Sequence, residues 1–379
     1  MDTRTQTGRG PLTGEPASRP SADARPEGSP PACARPEGSP PEGATEARKS
    51  LGAPEGPSAR NAQPSCGGAP EPRPAVEAPC PVRVPLAREG PWRLEYPFRS
   101  RYLRLPGGAM HYVDEGEGPP LALVHGNPTW SFMFRKVIRA FRRRFRCLAP
   151  DHLGMGLSER PKGAGSLDLA SRTADFTAFL DAVAPDRPVR LLAHDWGGPI
   201  ALGWAVRNPS RVASFALMNT GLRIPEGYRL PWRLALFQRF SALGGLLARD
   251  LGLFAAGLAR TGTVRPLSPA AEAGLLAPYW RREFRDSVAG FVRDIPWKPG
   301  HPTRRHLAET DALFDQALSG KPVLLIWGMR DFVFSQAFLH DFKRRLPKAR
   351  VLALPRSGHY LLEDEPDRIL RSLERFWPG

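Results

Sequence analysis

Cysteine is scarce in this chain: four residues in 379, of which Cys33, Cys66 and Cys80 fall in the first 90 and Cys147 stands alone in an apolar segment. That excludes a disulfide framework and a cysteine-based metal cluster, and it fits a reducing compartment. Long apolar runs are also missing. No stretch of about 18 uninterrupted apolar residues occurs, and the opening "MDTRTQTGRG" has no apolar core of the signal-peptide kind. The expectation is a soluble, cytoplasmic protein. No dinucleotide fingerprint is visible either, so no cofactor and no metal are expected.

What the first 90 residues do contain is proline, 18 of the 43, with Gly, Ala, Ser, Glu and Arg and a near-duplication, "ARPEGSPPAC" then "ARPEGSPPEG". Such a composition buries too little apolar surface to offset chain entropy, so residues 1–90 read as a disordered tail. Charge draws the same boundary. The tail balances 11 Lys and Arg against 11 Asp and Glu, and residues 91–379 hold 43 against 27, so the whole +16 belongs to the folded part. The densest run, "FRKVIRAFRRRFR" (134–146), has helical spacing, with Phe134, Val137, Ile138 and Phe141 on one side and arginines on the other. It reads as a solvated face, with attraction to an anionic membrane surface or an acidic partner as the alternative. No recognition motif accompanies the arginines, so nucleic acid is not expected.

From about residue 91 short apolar runs alternate with helix-length amphipathic stretches. "RYLRLP" and "MHYVDEG" read as an opening hairpin, followed by "LALVHG", "FRCLAPD", "VRLLAHDWG", "SFALMNT", "PVLLIWGMRD" and "ARVLALPRSGH". This is the pattern of an α/β fold: a mostly parallel eight-stranded sheet with helices on both faces. Between "LMNT" and "VLLIWG" lie about 100 residues with aromatic-rich helical patterns and no strand. Their length and place predict an inserted helical lid at 223–310, dividing the core into 91–222 and 311–379. Trp232, Phe237, Tyr279, Trp280, Phe291 and Trp297 read individually as lid core; together they imply an apolar cavity beneath.

"LLAHDWGGPI" (191–200) is the most informative stretch. Ala193 and Gly197 flank Asp195 at minus two and plus two, the small residues that a sharp strand-to-helix turn needs to thrust its central side chain into a cleft. This is a nucleophile elbow with aspartate in place of serine. A carboxylate attacks saturated carbon and becomes an alkyl ester that water can later open, whereas a serine would form an inert ether. The substrate should therefore carry a leaving group or a strained ring. In the expected chain order, "LLIWGMRD" supplies Asp331 as the orienting acid and "LPRSGHYLLEDEP" supplies His359 as the base. "VHGNPTW" supplies Asn127, whose backbone N–H with that of Trp196 suits an oxyanion hole. The Asn127 amide and Trp196 indole are donors for a leaving anion. His125, His152 and His194 read as loop hydrogen-bonders, and His301, His306 and His340 as surface residues.

With these motifs in hand, residues 91–379 resemble the haloalkane dehalogenase family of α/β-hydrolases through "HGNPTW", "PDHLGMGLSERP", "HDWGGPIALGWA" and "WGMRDFVF". The resemblance implies Asp195 as nucleophile, His359 as base, Asp331 as acid, and Asn127 with Trp196 as leaving-group stabilisers. Some members carry the acid where this chain has Asn219, which leaves Asp331 to serve. Within the family, "LMNTGLRIP", "RDIPWKP", "RDFVF" and "GHYLLEDEP" look most like the β-lactone decarboxylases of long-chain olefin biosynthesis, which turn cis-3,4-dialkyl β-lactones into cis-alkenes. That branch implies a small apolar substrate and, as partners, a β-lactone synthetase and other olefin-pathway enzymes, with docking or peripheral membrane association for the basic surface. A haloalkane dehalogenase is the alternative, and an epoxide hydrolase, which would need two lid tyrosines, comes third.

Overall fold

Along the central strands successive side chains fall alternately into two separate apolar cores. Leu191 and Ala193 belong to one and Leu192 to the other; Leu217 and Leu325 face the first, Ala216 and Ile326 the second. This period of two, buried on both sides, is what a sheet covered on both faces requires. In the computed structural model, which describes residues 89–161, 167–231, 235 and 246–378, the strands are β1 (Ser100–Leu105), β2 (Gly108–Glu115), β3 (Pro120–Val124), β4 (Arg146–Pro150), β5 (Val189–His194), β6 (Val212–Met218), β7 (Val323–Gly328) and β8 (Arg350–Leu354). They form one eight-stranded sheet in the order β1-β2-β4-β3-β5-β6-β7-β8. β1 and β2 form the antiparallel hairpin, β2 runs antiparallel to β4, and every later pairing is parallel. The disordered-tail reading, with Cys33, Cys66 and Cys80, concerns residues that lie almost wholly outside the described ones, as do Trp232 and Phe237.

The labelled helices are α1 (Arg135–Phe141), α2 (Leu169–Val183), α3 (Gly197–Ala205), α4 (Leu253–Thr261), α5 (Pro269–Leu276), α6 (Asp286–Arg293), α7 (Pro302–Leu318), α8 (Gln336–Arg345) and α9 (Pro366–Phe376). α2, α3, α7 and α8 contribute Phe176, Ile200, Phe314 and Phe342 to one core; α1 and α9 contribute Val137, Ile138, Ile369 and Leu373 to the other. The basic stretch 134–146 is shorter as a helix than its spacing suggested. α1 stops at Phe141, and the chain turns through the next arginines into β4. Arg135, assigned to the solvated side, is buried: its guanidinium lies over the Phe132 ring and pairs with Glu95 and Glu363. Cys147 is buried in β4, where burial pushes its thiol up to about 12.

Residues 219–322, between β6 and β7, contain only helices and turns among those described, and α4, α5 and α6 lie there. Tyr279 and Phe291 are buried, while Trp280 and Trp297 are exposed. No described helix is long and apolar enough to cross a membrane.

Candidate active site

β5 ends at His194 and α3 begins at Gly197, so the chain reverses direction around Asp195 and Trp196. Asp195 takes φ 53°, in the left-handed region that a non-glycine residue occupies only when its surroundings compel it. Three backbone contacts do so. The Asp195 N–H donates to the Asn219 carbonyl, and its own carbonyl accepts from Gly198 N–H and from the Thr220 hydroxyl at 2.6 Å. The small neighbours are sterically required: a Cβ on Gly197 would strike the Val124 carbonyl, and one on Gly126 would strike the Asp195 carboxylate.

The two oxygens of that carboxylate are in different surroundings. Oδ1 accepts the Asn127 backbone N–H at 2.7 Å, and the Trp196 backbone N–H also favours the ionised carboxylate. Oδ2 faces His359 Nε2 at 3.6 Å, too far for a hydrogen bond. Nε2 is buried and has no hydrogen-bond partner among the described residues. His359 Nδ1 lies 2.9 Å from Asp331 Oδ2. A carboxylate only accepts, so Nδ1 donates and the lone pair of a neutral imidazole sits on Nε2, turned toward Asp195. Asp331 Oδ1 accepts from Val333 N–H at 2.7 Å, and Asp331 Oδ2 also accepts from Asn219 Nδ2 at 2.8 Å. His194 Nε2 donates to the His359 carbonyl at 2.9 Å.

Burial dominates the electrostatics. It raises the Asp195 carboxyl to about 6, against the opposing pull of His359 and the two backbone N–H groups. Burial also opposes charge on His359, yet the Asp331 carboxylate, through charge and hydrogen bond, and then Asp195 outweigh it and hold the imidazole above its ordinary value. An aspartate that costs free energy to ionise is a reactive base or nucleophile once ionised.

A cavity of about 370 Å³ opens onto these residues. Asn127, Asp195, Trp196 and His359 line it together with apolar side chains from the core and the insertion, among them Leu222, Phe254, Leu258, Val292, Trp297 and Phe334. All five residues singled out in the sequence are thus brought together, although Asn127 and His359 stand more than two hundred positions apart. The Asn127 amide is not wholly directed at the cavity, because Nδ2 donates to the Val288 carbonyl of α6 at 3.3 Å. Of the lid aromatics, Trp297 lines the cavity; Tyr279 and Phe291 do not. His125 and His152 hold the loops as expected, through Gly126 O, His125 O and the His152 N–H.

Two features escaped the sequence reading. Asn219 was noted only for not being an acid, yet it grips Asp331 and both the N–H and the carbonyl of Gly328. An asparagine ending a strand and able to adopt positive φ, here 34°, is the signal that could have marked it. Arg172 is buried against Phe291, whose ring packs on Trp196; its position on the apolar stripe Leu169, Phe176, Phe179, Leu180 of α2 was the corresponding clue.

Comparison with known proteins assigns the chain to a fold family. Residues 119–366 match the family model described as alpha/beta hydrolase fold. The chain is 35% identical over 283 residues to a cis-3-alkyl-4-alkyloxetan-2-one decarboxylase of Shewanella oneidensis, covering 74% of this chain and 88% of that protein. It is 37% identical over 284 residues to haloalkane dehalogenase 2 of Mycobacterium tuberculosis, covering 74% and 96%. Among solved structures, a haloalkane dehalogenase from Bradyrhizobium elkani matches with a TM-score of 0.66 at 26% identity, covering 74% of this chain and 97% of that one. The chain therefore belongs to the α/β-hydrolase fold family, among the relatives of the haloalkane dehalogenases.

Proposed function

We propose that this protein is a β-lactone decarboxylase in which Asp195 is the nucleophile, acting on cis-3,4-dialkyl β-lactones to give cis-alkenes. The observation that carries the reading is the division of the Asp195 carboxylate. Oδ1 is held by the Asn127 backbone N–H, and Oδ2 faces His359 beside the apolar cavity that Asp195 lines. In the ring-opening route Oδ2 attacks the ring carbon that bears oxygen. The C–O bond breaks with inversion, and its electron pair leaves as the substrate carboxylate. The C–C bond to that carboxylate then breaks, its pair forms the double bond, carbon dioxide departs, and Asp195 leaves anti as a carboxylate. Inversion followed by anti loss preserves the cis relation, and no water is consumed. Attack at the lactone carbonyl, giving a mixed anhydride, is the rival first step.

Cavity size supports a substrate with alkyl chains. At about 30 Å³ per water-sized group, 370 Å³ has room for roughly a dozen such groups. The named activity of the Shewanella relative supports the same substrate class. An enzyme that closes β-lactone rings would have to supply the substrate, and we place the protein beside such a partner in olefin biosynthesis, with the basic surface as its docking side.

A second reading, hydrolysis of a carbon–halogen bond, uses the same residues. Oδ2 displaces halide and forms an alkyl ester whose carbonyl oxygen, Oδ1, already accepts the Asn127 N–H. His359 Nε2 then takes a proton from the water that opens the ester. The 37% identity to a haloalkane dehalogenase favours it. An epoxide hydrolase is disfavoured, because the hydroxyls of both insertion tyrosines donate to backbone carbonyls, Tyr228 to Val333 and Tyr279 to Thr129.

Gas chromatography of products from a synthetic cis-3,4-dialkyl β-lactone, beside an Asp195→Ala control, tests the first reading. Cis-alkene from the intact protein alone supports it; no alkene above the control, with halide released from bromoalkanes, replaces it with the second.

A further inference from the structure

Arg172 is a wholly buried cation that the reaction described above does not use. It stands on α2, whose first turn is capped by the Asp168 carboxylate accepting from Ser171 N–H. Among the described residues its hydrogen bonds go to neutral groups: the Leu167 carbonyl at 3.0 Å, the Leu153 carbonyl at 3.4 Å and the Ser287 hydroxyl at 2.9 Å. Its guanidinium carbon lies 3.6 Å from the centre of the Phe291 ring. The Asp294, Asp175 and Asp168 carboxylates attract it but make no hydrogen bond to it, and burial outweighs them, lowering its guanidinium to about 10; replacing such a buried cation by an apolar side chain of similar size is often neutral or better for stability. Stability alone therefore does not account for it.

Its two side-chain partners, Ser287 and Phe291, both belong to α6, at i and i+4 on one face of that helix. The same helix reaches both donor side chains of the site. The Val288 carbonyl accepts from Asn127 Nδ2 at 3.3 Å, and the Phe291 ring packs against the Trp196 indole with centroids 5.6 Å apart. Gly154, at φ 83°, leaves the space Ser287 occupies, since a Cβ there would lie 2.8 Å from the Ser287 side chain. The core, α6 and the two donors are thus joined by a set of contacts in which one guanidinium touches both Ser287 and Phe291, beside the packing of His152 on Phe291.

We propose that Arg172 is a positioning residue: by clamping α6 through Ser287 and Phe291, it fixes the Trp196 indole and the Asn127 amide where a leaving anion forms. The inference rests on Asn127, Trp196 and Asp195 forming the reacting site and holds for a carboxylate or a halide alike. A donor aimed at charge that develops in the transition state acts mainly on kcat, so loosening it lowers kcat and leaves KM nearly unchanged. Lysine should not substitute, because it lacks the planar fork that bonds three ways while stacking on a ring.

The test uses the full chain and Arg172→Met, Arg172→Lys and Ser287→Ala variants, the last removing one anchor in case loss of the guanidinium prevents folding. Each is paired with the same protein carrying Trp196→Phe, so that the difference in emission reports Trp196 alone. The expected result is a red-shifted Trp196 emission more readily quenched by acrylamide. With it should come a roughly tenfold fall in kcat for the dialkyl β-lactone, at unchanged KM, not rescued by lysine. In a Phe291→Leu background the Arg172→Met effect should shrink, since part of it passes through that ring and the Ser287 anchor carries the rest. A folded Arg172→Met protein with the Trp196 emission and quenching of the wild type overturns the proposal, as does an equal loss in the Phe291→Leu background. Should the wild type fail to decarboxylate the lactone, the functional reading falls, and the Trp196 emission still decides the role of Arg172.

Discussion

Asn219 donates through Nδ2 to Asp331 Oδ2 at 2.8 Å, the same oxygen that receives His359 Nδ1. An amide stands where some relatives place an acid, and here it braces the acid supplied by the next strand. Replacement by alanine removes that donor and the acceptor of the Gly328 N–H, while the Gly328 carbonyl keeps the Asp331 N–H. Asn219→Ala should lower kcat by about tenfold to a hundredfold, the equivalent of one or two buried hydrogen bonds, with KM little changed. Asn219→Asp should do more harm, because it sets a second carboxylate against Asp331. Steady-state kinetics on the β-lactone checks both.

Asp195 binds its proton more tightly folded than unfolded, because burial lifts its carboxyl from 3.8 to about 6. Its contribution to stability is therefore fully present at low pH, declines as pH rises from about 4 to about 6, and is lost above that, where the buried carboxylate is a net cost. Asp195→Asn should abolish turnover and raise Tm at pH 7 by several degrees, with no gain at pH 4. Thermal melts at the two pH values decide this. In the wild type, kcat/KM should fall below about pH 6 as Asp195 takes up its proton.

His359 separates the two chemistries. Hydrolysis of an alkyl ester needs Nε2 as the base for water, whereas ring opening with loss of carbon dioxide regenerates Asp195 without water. His359→Gln, treated with a bromoalkane and weighed intact, should carry one alkyl group on Asp195. Absence of any adduct on a folded variant would show that Asp195 does not attack saturated carbon.

Leu258 of α4 lines the cavity and is nearly buried. Leu258→Trp should reduce the longest alkyl chain accepted without altering turnover of the shortest. A chain-length series read by gas chromatography provides the measurement, and an unchanged profile would place the chains elsewhere.

The elbow is sterically closed. A methyl group at Gly197 would meet the Val124 carbonyl, so Gly197→Ala should destabilise the protein by about 2 kcal/mol or more and reduce the yield of folded enzyme. Chemical denaturation reads the change directly.

Strands and elbow were legible because both leave strictly local marks. Period-two apolar runs report a sheet covered on both faces, and an aspartate between Ala193 and Gly197 at the end of such a run reports a sharp turn. Asp331 and His359 could be placed because each follows a strand at the same rim of a parallel sheet, where polar residues collect. Arg135 was misplaced for the converse reason. Helical spacing assigns it to a face, but a guanidinium paired with Glu95 and Glu363, 40 positions before and 228 after, depends on partners that spacing does not report.

The sequence by itself pointed to the sheet, the turn that presents Asp195 and the five residues that the fold brings together, four of them lining the cavity, since each follows from pattern within about ten residues. Only the tertiary structure decided how they work together. It gives one oxygen of Asp195 to the Asn127 N–H and turns the other toward His359, sets Asn219 on Asp331, and links Arg172 through Phe291 of α6 to Trp196. Those relations join segments far apart in the chain, and their geometry is fixed by packing between helices and sheet, which no local pattern encodes.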